Sequence, residues 1–199
     1  MTSPSRLHDD HRVLVLDASV TINLLGTGHA ATLLHALRRT VLMDEHAVDE
    51  VIYDPSTMAP AKKAIDQLIT AGLIAKTKLD KHAYETFLEL TGALPPDDLD
   101  DGEAATIATA IQAHATPVID ERKARRIITA RALSVSVLHS IDLLASHVIA
   151  AALSPHDLSA AVYGALHHAR MRVPEECKAW VLSVAGAERA QACPSIRTR

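Results

Sequence analysis

Cysteine, aromatic rings and catalytic metal-protease signatures are scarce or missing in this chain, and each shortage removes a class of function. The two cysteines, Cys177 and Cys193, lie near the C-terminus without CxxC spacing or a His/Cys pattern, which argues against a disulfide scaffold or a structural zinc site. A reducing cytoplasm is the expected setting. Aromatic residues make up 3%, with Trp180 and Phe87 the single members of their types, so few rings exist on which unpaired bases could stack. The polar stretch from Met1 to Arg12 lacks the apolar core of a signal peptide. The stretch from Leu143 to Leu153 is too short and too interrupted by Ser146 and His147 to span a bilayer, and a soluble protein is expected. HExxH is absent, and the twelve histidines are scattered, as packing or surface residues are. Net charge is -4, so the molecule as a whole does not attract a polyanion and any nucleic-acid contact has to be local.

What the chain does contain is apolar sequence in alternating lengths. With 48% hydrophobic residues over 199 positions, it can bury one substantial core and is short for two. Short apolar runs at Val13–Leu16, Val41–Met43, Leu73–Lys76, Pro117–Ile119 and Val135–Leu138 alternate with longer stretches of helical periodicity. That alternation predicts an α/β fold, a parallel sheet covered by helices on both faces. Helices are expected over Ala61–Ala71 and Glu103–Ala113, from the Ser154-Pro155-His156-Asp157 cap towards His168, and again after Pro174. The expected organisation is a polar extension at 1–11, the α/β unit at 12–153, helices packed on the same unit at 154–187, and a polar, mobile tail at 188–199.

Acidic residues fall where this alternation brings elements together. Asp17 closes the first apolar run, Asp120 and Glu121 follow a later one, Glu50 comes after the second, and Asp100, Asp101 and Glu103 open an alanine-rich helix. In an open parallel sheet the carboxyl ends of the strands form the ligand-binding edge. Hard divalent cations such as Mg²⁺ or Mn²⁺ take oxygen ligands from carboxylates. Clustered carboxylates without a cation repel one another and are driven towards protonation. Each residue alone also has a plainer reading: Asp17 as a helix cap, Glu50 as a solvated charge, and the Asp97–Asp101 run as a helix N-terminus favoured by its dipole.

These four acidic segments, in this order, resemble the PIN-domain ribonucleases, the family that includes VapC-type toxins of bacterial toxin-antitoxin pairs. Leu16-Asp17-Ala18-Ser19 is similar to the opening motif, Val48-Asp49-Glu50-Val51 to the segment carrying the second acid, and Asp101-Gly102-Glu103 with the following Ala-rich residues to the third. Val118-Ile119-Asp120-Glu121-Arg122-Lys123-Ala124-Arg125 looks like the fourth. The resemblance implies a three-layer α/β/α sandwich and a Mg²⁺- or Mn²⁺-dependent ribonuclease working through a metal-activated water. It implies Asp17, Glu50 and Glu103 as metal ligands, with Asp120 or Glu121 completing the site and Asp100 or Asp101 assisting Glu103. Ser19, which accompanies the first acid, is expected to contact the substrate. It also implies an RNA substrate, a cognate antitoxin, and a homodimer or hetero-oligomer. The residue before Asp120, Ile119, departs from the small hydroxylated residue of the family pattern and leaves the fourth acid open.

Arg122, Lys123, Arg125 and Arg126, extended by Arg131, form the densest basic stretch, and their helix could hold RNA phosphates beside the acids. Two motifs are decoys. Gly26-Thr27-Gly28 with its following residues fits a dinucleotide fingerprint in letters but lies well beyond the end of the first strand, and Asp97–Gly102 lacks the ligands of a calcium loop. Two other functions compete: a PIN-like module that binds protein or RNA without catalysis, and a DNA or structure-specific nuclease.

Overall fold

A computed structural model describes residues 3–131, 133 and 135–197. In chain order the elements are β1 (Val13–Leu16), α1 (Ala18–Gly26), α2 (Ala30–Leu37), β2 (Thr40–Asp44), α3 (Glu45–Glu50), α4 (Lys62–Thr70), β3 (Ala75–Thr77), α5 (Lys81–Thr91), α6 (Asp101–Gln112), β4 (Thr116–Val118) and α7 (Arg122–Ala130). Then come α8 (Ser140–Leu144), α9 (His147–Ala152), α10 (Pro155–His167), a 3₁₀ turn at Glu175–Cys177, α11 (Lys178–Ala185) and α12 (Ala187–Gln191).

All strand pairs are parallel, in the order β3-β2-β1-β4. The chain grows outward from β1 through β2 to β3, then returns to place β4 on the other side of β1. The winding direction reverses between β1 and β4, and a crevice opens at that point beyond the strand ends. Asp17 follows β1 and Asp120 follows β4, so the topology alone brings residues 17 and 120 to one crevice.

Both faces of the sheet are buried, as parallel crossovers require. Leu14 and Leu16 pack into the larger core with α1, α2 and the C-terminal helices, while Val15 points to the opposite face against Ala110 and Ala115. On that second face α6 lies close to β1 and β2; Ala104, Ala105, Ala108 and Ala110 are all fully buried, and their small side chains allow the approach. A satellite core of Phe87, Leu90, Ile107, Ile119 and Ile127 ties α5, α6 and α7 together. The three-layer α/β/α architecture expected from the alternation is present.

The expected fifth strand at Val135–Leu138 does not form. Leu138 alone makes a parallel bridge to Val118, through Ile119 N–H to Leu138 O (2.9 Å) and Leu138 N–H to Pro117 O (3.1 Å). One residue later the chain turns into α8, which leaves no length for a ladder. Residues 3–7 run across α8: Arg6 Nη2 meets Asp142 Oδ2 at 2.7 Å, Arg6 N–H donates to Asp142 Oδ1 at 2.9 Å, and Leu7 is buried. Within the segment expected as a mobile tail, α12 forms and Ala190, Cys193 and Ile196 are buried in the larger core.

Candidate active site

Asp17 leaves β1 in extended conformation and caps α1. Its Oδ2 accepts the Ser19 N–H at 3.1 Å, and the Ser19 hydroxyl donates to the same oxygen. The side chain is only 4% exposed. Burial pushes its carboxyl up to about 6, against the two hydrogen bonds from Ser19, and the charge of Asp100 adds to the rise. A carboxylate held this far from water in a cleft makes Asp17 a candidate functional residue.

Glu50 and Glu103 come from α3 and α6, and one glycine joins them. Gly102 N–H donates to Glu50 Oε1 at 2.8 Å, setting the Glu50 carboxylate on the positive end of α6. A Cβ at position 102 would collide with both Glu50 carboxylate oxygens, so glycine is the residue that permits this contact. Partial burial pushes Glu50 upward, the Gly102 N–H pulls it back, and the charges of Asp100, Asp17 and Asp101 raise it further. One position on, Glu103 is buried and its Oε2 has no hydrogen-bond partner among the described residues. Burial, then the charges of Asp100, Asp17 and Glu121, push its carboxyl up to about 7; Lys123 opposes them. Asp100 caps α6 through Glu103 N–H at 3.0 Å.

Asp120 is 7% exposed and both its carboxylate oxygens are engaged. Its Oδ2 accepts from Asn23 Nδ2 (2.7 Å) and Ser140 Oγ (2.6 Å), and its Oδ1 from Ser140 N–H (2.9 Å). Burial still drives its carboxyl upward, with the bonds from Ser140 and Asn23 and the nearby His139 opposing. Asn23 of α1 and Ser140 of α8 thus meet on one carboxylate. Glu121 caps α7 through Arg122 N–H (3.1 Å) and pairs with Arg172 through its other oxygen.

These side chains line a single cavity of about 380 Å³, formed by Asp17, Ser19, Asn23, Glu50, Asp100, Glu103, Asp120 and Glu121 together with Arg170, Met171 and Arg172. Asp101 is exposed and does not line it. The expected basic residues separate. Arg122 and Arg125 line a neighbouring cavity, Lys123 acts on Glu103 electrostatically, Arg126 is bound by Asp97 at 2.7 Å and the Pro96 carbonyl at 3.1 Å, and Arg131 is exposed beyond α7. Of the decoys, Gly26 ends α1 and packs against Ala169, and Asp97 serves Arg126.

Six of the lining residues escape sequence reasoning: Ile22 and Asn23 of α1, and Ala169, Arg170, Met171 and Arg172. After α10 the chain turns back: Met171 N–H reaches Ala165 O (3.0 Å) and Arg170 takes the left-handed conformation (φ 56°), as residues just past helix ends often do. That turn folds residues 170–172 over the acids. Glycine is the usual signal for such a turn, and the chain has arginine there.

The donor set suits a hard divalent cation: all-oxygen, anionic, with one buried carboxylate oxygen of Glu103 unpartnered. Among the described residues no three acidic, His or Cys side chains close into a ready-made cage; the carboxylates lean on Ser19, Gly102, Asn23, Ser140 and Arg172 instead. A family model described as a PIN domain matches residues 13–187, from β1 through the first residue of α12. No curated protein matches the chain. Among the described residues no helix is long and apolar enough to cross a membrane.

Proposed function

Because the chain belongs to the PIN-domain family, a nuclease fold whose members typically use divalent metals, we propose that it is a Mg²⁺- or Mn²⁺-dependent ribonuclease. The observation that carries this reading is the cavity at the β1–β4 crevice, where Asp17, Glu50 and Glu103 converge with carboxyls pushed upward by burial and by neighbouring acidic charge, and where Glu103 Oε2 has no partner among the described residues. Asp17, Glu50 and Glu103 would hold the cation. Glu121 completes the set better than Asp120, since Asp120 already accepts three hydrogen bonds while Glu121 is tied to the surface side chain Arg172. A bound cation supplies Lewis acidity for hydrolysis of a phosphodiester by water. Ser19 and Gly102 fix the orientation of Asp17 and Glu50, so both acids are restrained before substrate arrives. Arg170 and Arg172 line the same cavity and would offset the charge of a phosphate bound beside the acids.

The toxin role is the finer part of the proposal. A partner protein is supported by the exposed apolar side chains Ile52, Tyr53 and Met58 on the segment after α3, 63%, 57% and 74% exposed, which an antitoxin would cover.

Cleavage of matched labelled RNA and DNA by purified protein in Mn²⁺ or Mg²⁺, with EDTA and Asp17→Asn as controls, tests the activity. RNA cleavage lost in both controls is the expected result. Absence of cleavage by folded, metal-loaded protein would leave a binding module, and equal cleavage of DNA would remove the restriction to RNA.

A further inference from the structure

A second cavity, of about 780 Å³, adjoins the acidic one and shares Asp120 and Arg172 with it. Its remaining walls are Arg122 and Arg125 from α7, His139 before α8, the segment Val173–Glu176, and Ser195. Arg122 and Arg125 stand three residues apart on one helix, so they share a face. Among the described residues neither makes an ion pair, in contrast to Arg126 beside them, which is committed to Asp97. Two buried polar atoms of this wall, Arg125 Nε and Ser195 Oγ, have no hydrogen-bond partner among the described residues. The acids nearby do not answer the arginines: Asp120 is held by Asn23 and Ser140, Glu175 is bound by Lys178 at 2.6 Å, and Glu176 is exposed. Burial, then the neighbouring charge of Arg6, weakens the hold of Arg125 on its proton, and the charges of Asp142, Glu176 and Asp120 only partly offset this, as for a cation placed partly out of water.

We infer that this arginine cavity is a phosphate-binding subsite, occupied by a phosphate of the same nucleic-acid strand that the acidic cavity engages. The inference rests on the nuclease reading for the identity of the ligand. A guanidinium pair with unused donors recognises phosphate oxygens in a way that a point charge does not. Arg172, as the shared wall, fixes the spacing between the bound phosphate and the acids. The phosphate is either an internal phosphodiester or a terminal monophosphate, and both have the chemistry the cavity requires.

The test is binding in EDTA, where cleavage cannot intervene. Short labelled RNAs of one sequence, carrying 5′-phosphate, 5′-hydroxyl, 3′-phosphate or 3′-hydroxyl ends, are titrated by fluorescence anisotropy against wild type, Arg122→Ala, Arg125→Ala and Arg125→Lys. A terminal-phosphate site predicts about tenfold tighter binding of one phosphorylated end, lost in the alanine variants. An internal site predicts equal binding of all ends and a uniform loss of about tenfold in Arg122→Ala and Arg125→Ala, with a shallower salt dependence. Arg125→Lys should recover little, because one ammonium does not replace the fork. Arg122 is exposed, so Arg122→Ala keeps the test open if substitution of the half-buried Arg125 unfolds the protein. Unchanged affinity in Arg122→Ala and in a folded Arg125→Ala overturns the subsite, whatever the cleavage assay shows. Loss of affinity in a protein that never cleaves would keep the subsite and reject the nuclease.

Discussion

Asp17 caps α1 through Ser19 and lines the acidic cavity with the same carboxylate, so the plain and the chemical readings of a strand-end aspartate describe one side chain. Its displaced titration has a consequence for stability. Between the ordinary value of 3.8 and about 6, the folded protein keeps a proton that the unfolded chain has released. Stability from this group is therefore complete below about pH 4 and is lost as pH rises through 6, an effect of roughly 3 kcal/mol. Glu103, pushed up to about 7, carries the loss on towards neutrality. Asp142 runs the other way: burial alone would raise it, but hydrogen bonds from His139 and Arg6 hold it below the usual carboxylate range, so its contribution is present at neutral pH and disappears in acid. Asp17→Asn should raise the melting temperature of the metal-free protein by roughly 5–10 °C at pH 8 and leave it nearly unchanged at pH 4. Mn²⁺ should then stabilise wild type more than the variant. Thermal melts in EDTA and in Mn²⁺ at both pH values measure this, and a gain independent of pH would mean that Asp17 is not a buried charge.

At the level of elements, α6 shows what the sequence discloses and what it withholds. Its acidic start, its alanines and its length were legible, because caps and helix propensity act within a few residues. The bond from Gly102 to Glu50 was not, since it joins residues 52 apart and is created by the packing of α3 against α6. A glycine in a helical first turn is the only trace it leaves. Gly102→Ala should keep thermal stability within about 1 kcal/mol, since alanine suits a helix better, yet weaken Mn²⁺ affinity by about tenfold or more as Glu50 is displaced. Isothermal titration with Mn²⁺ decides; unchanged affinity would show that Glu50 is not held for a cation. The absent fifth strand has the same lesson in reverse. Val135 and Val137 carry a strand pattern, but they pack beside α7 in the satellite core and the chain enters α8 immediately after Leu138.

Across the whole molecule, the C-terminal third proves to be part of the site's enclosure. The sheet and its crevice could be read from the alternation of apolar runs, whereas the wall formed by residues 170–172 could not, because it depends on two helices meeting at glycine. A Cβ at Gly164 would lie 2.6 Å from the Gly26 carbonyl oxygen, and one at Gly26 would lie 2.7 Å from Ala169 Cβ, so α1 and α10 approach as closely as backbone permits. Gly164→Val should force them apart, cost roughly 1–3 kcal/mol, and reduce cleavage beyond what the loss of stability explains by moving Arg170 and Arg172 off the acids. Melting temperature and cleavage rate, measured well below the transition, separate the two effects. The same glycine contact bears on how the protein is made. A chain leaving the ribosome presents Asp17 well before α10 and cannot press α1 against α10 until residue 164 has emerged, so the crevice stays open on one side until α10 has been made.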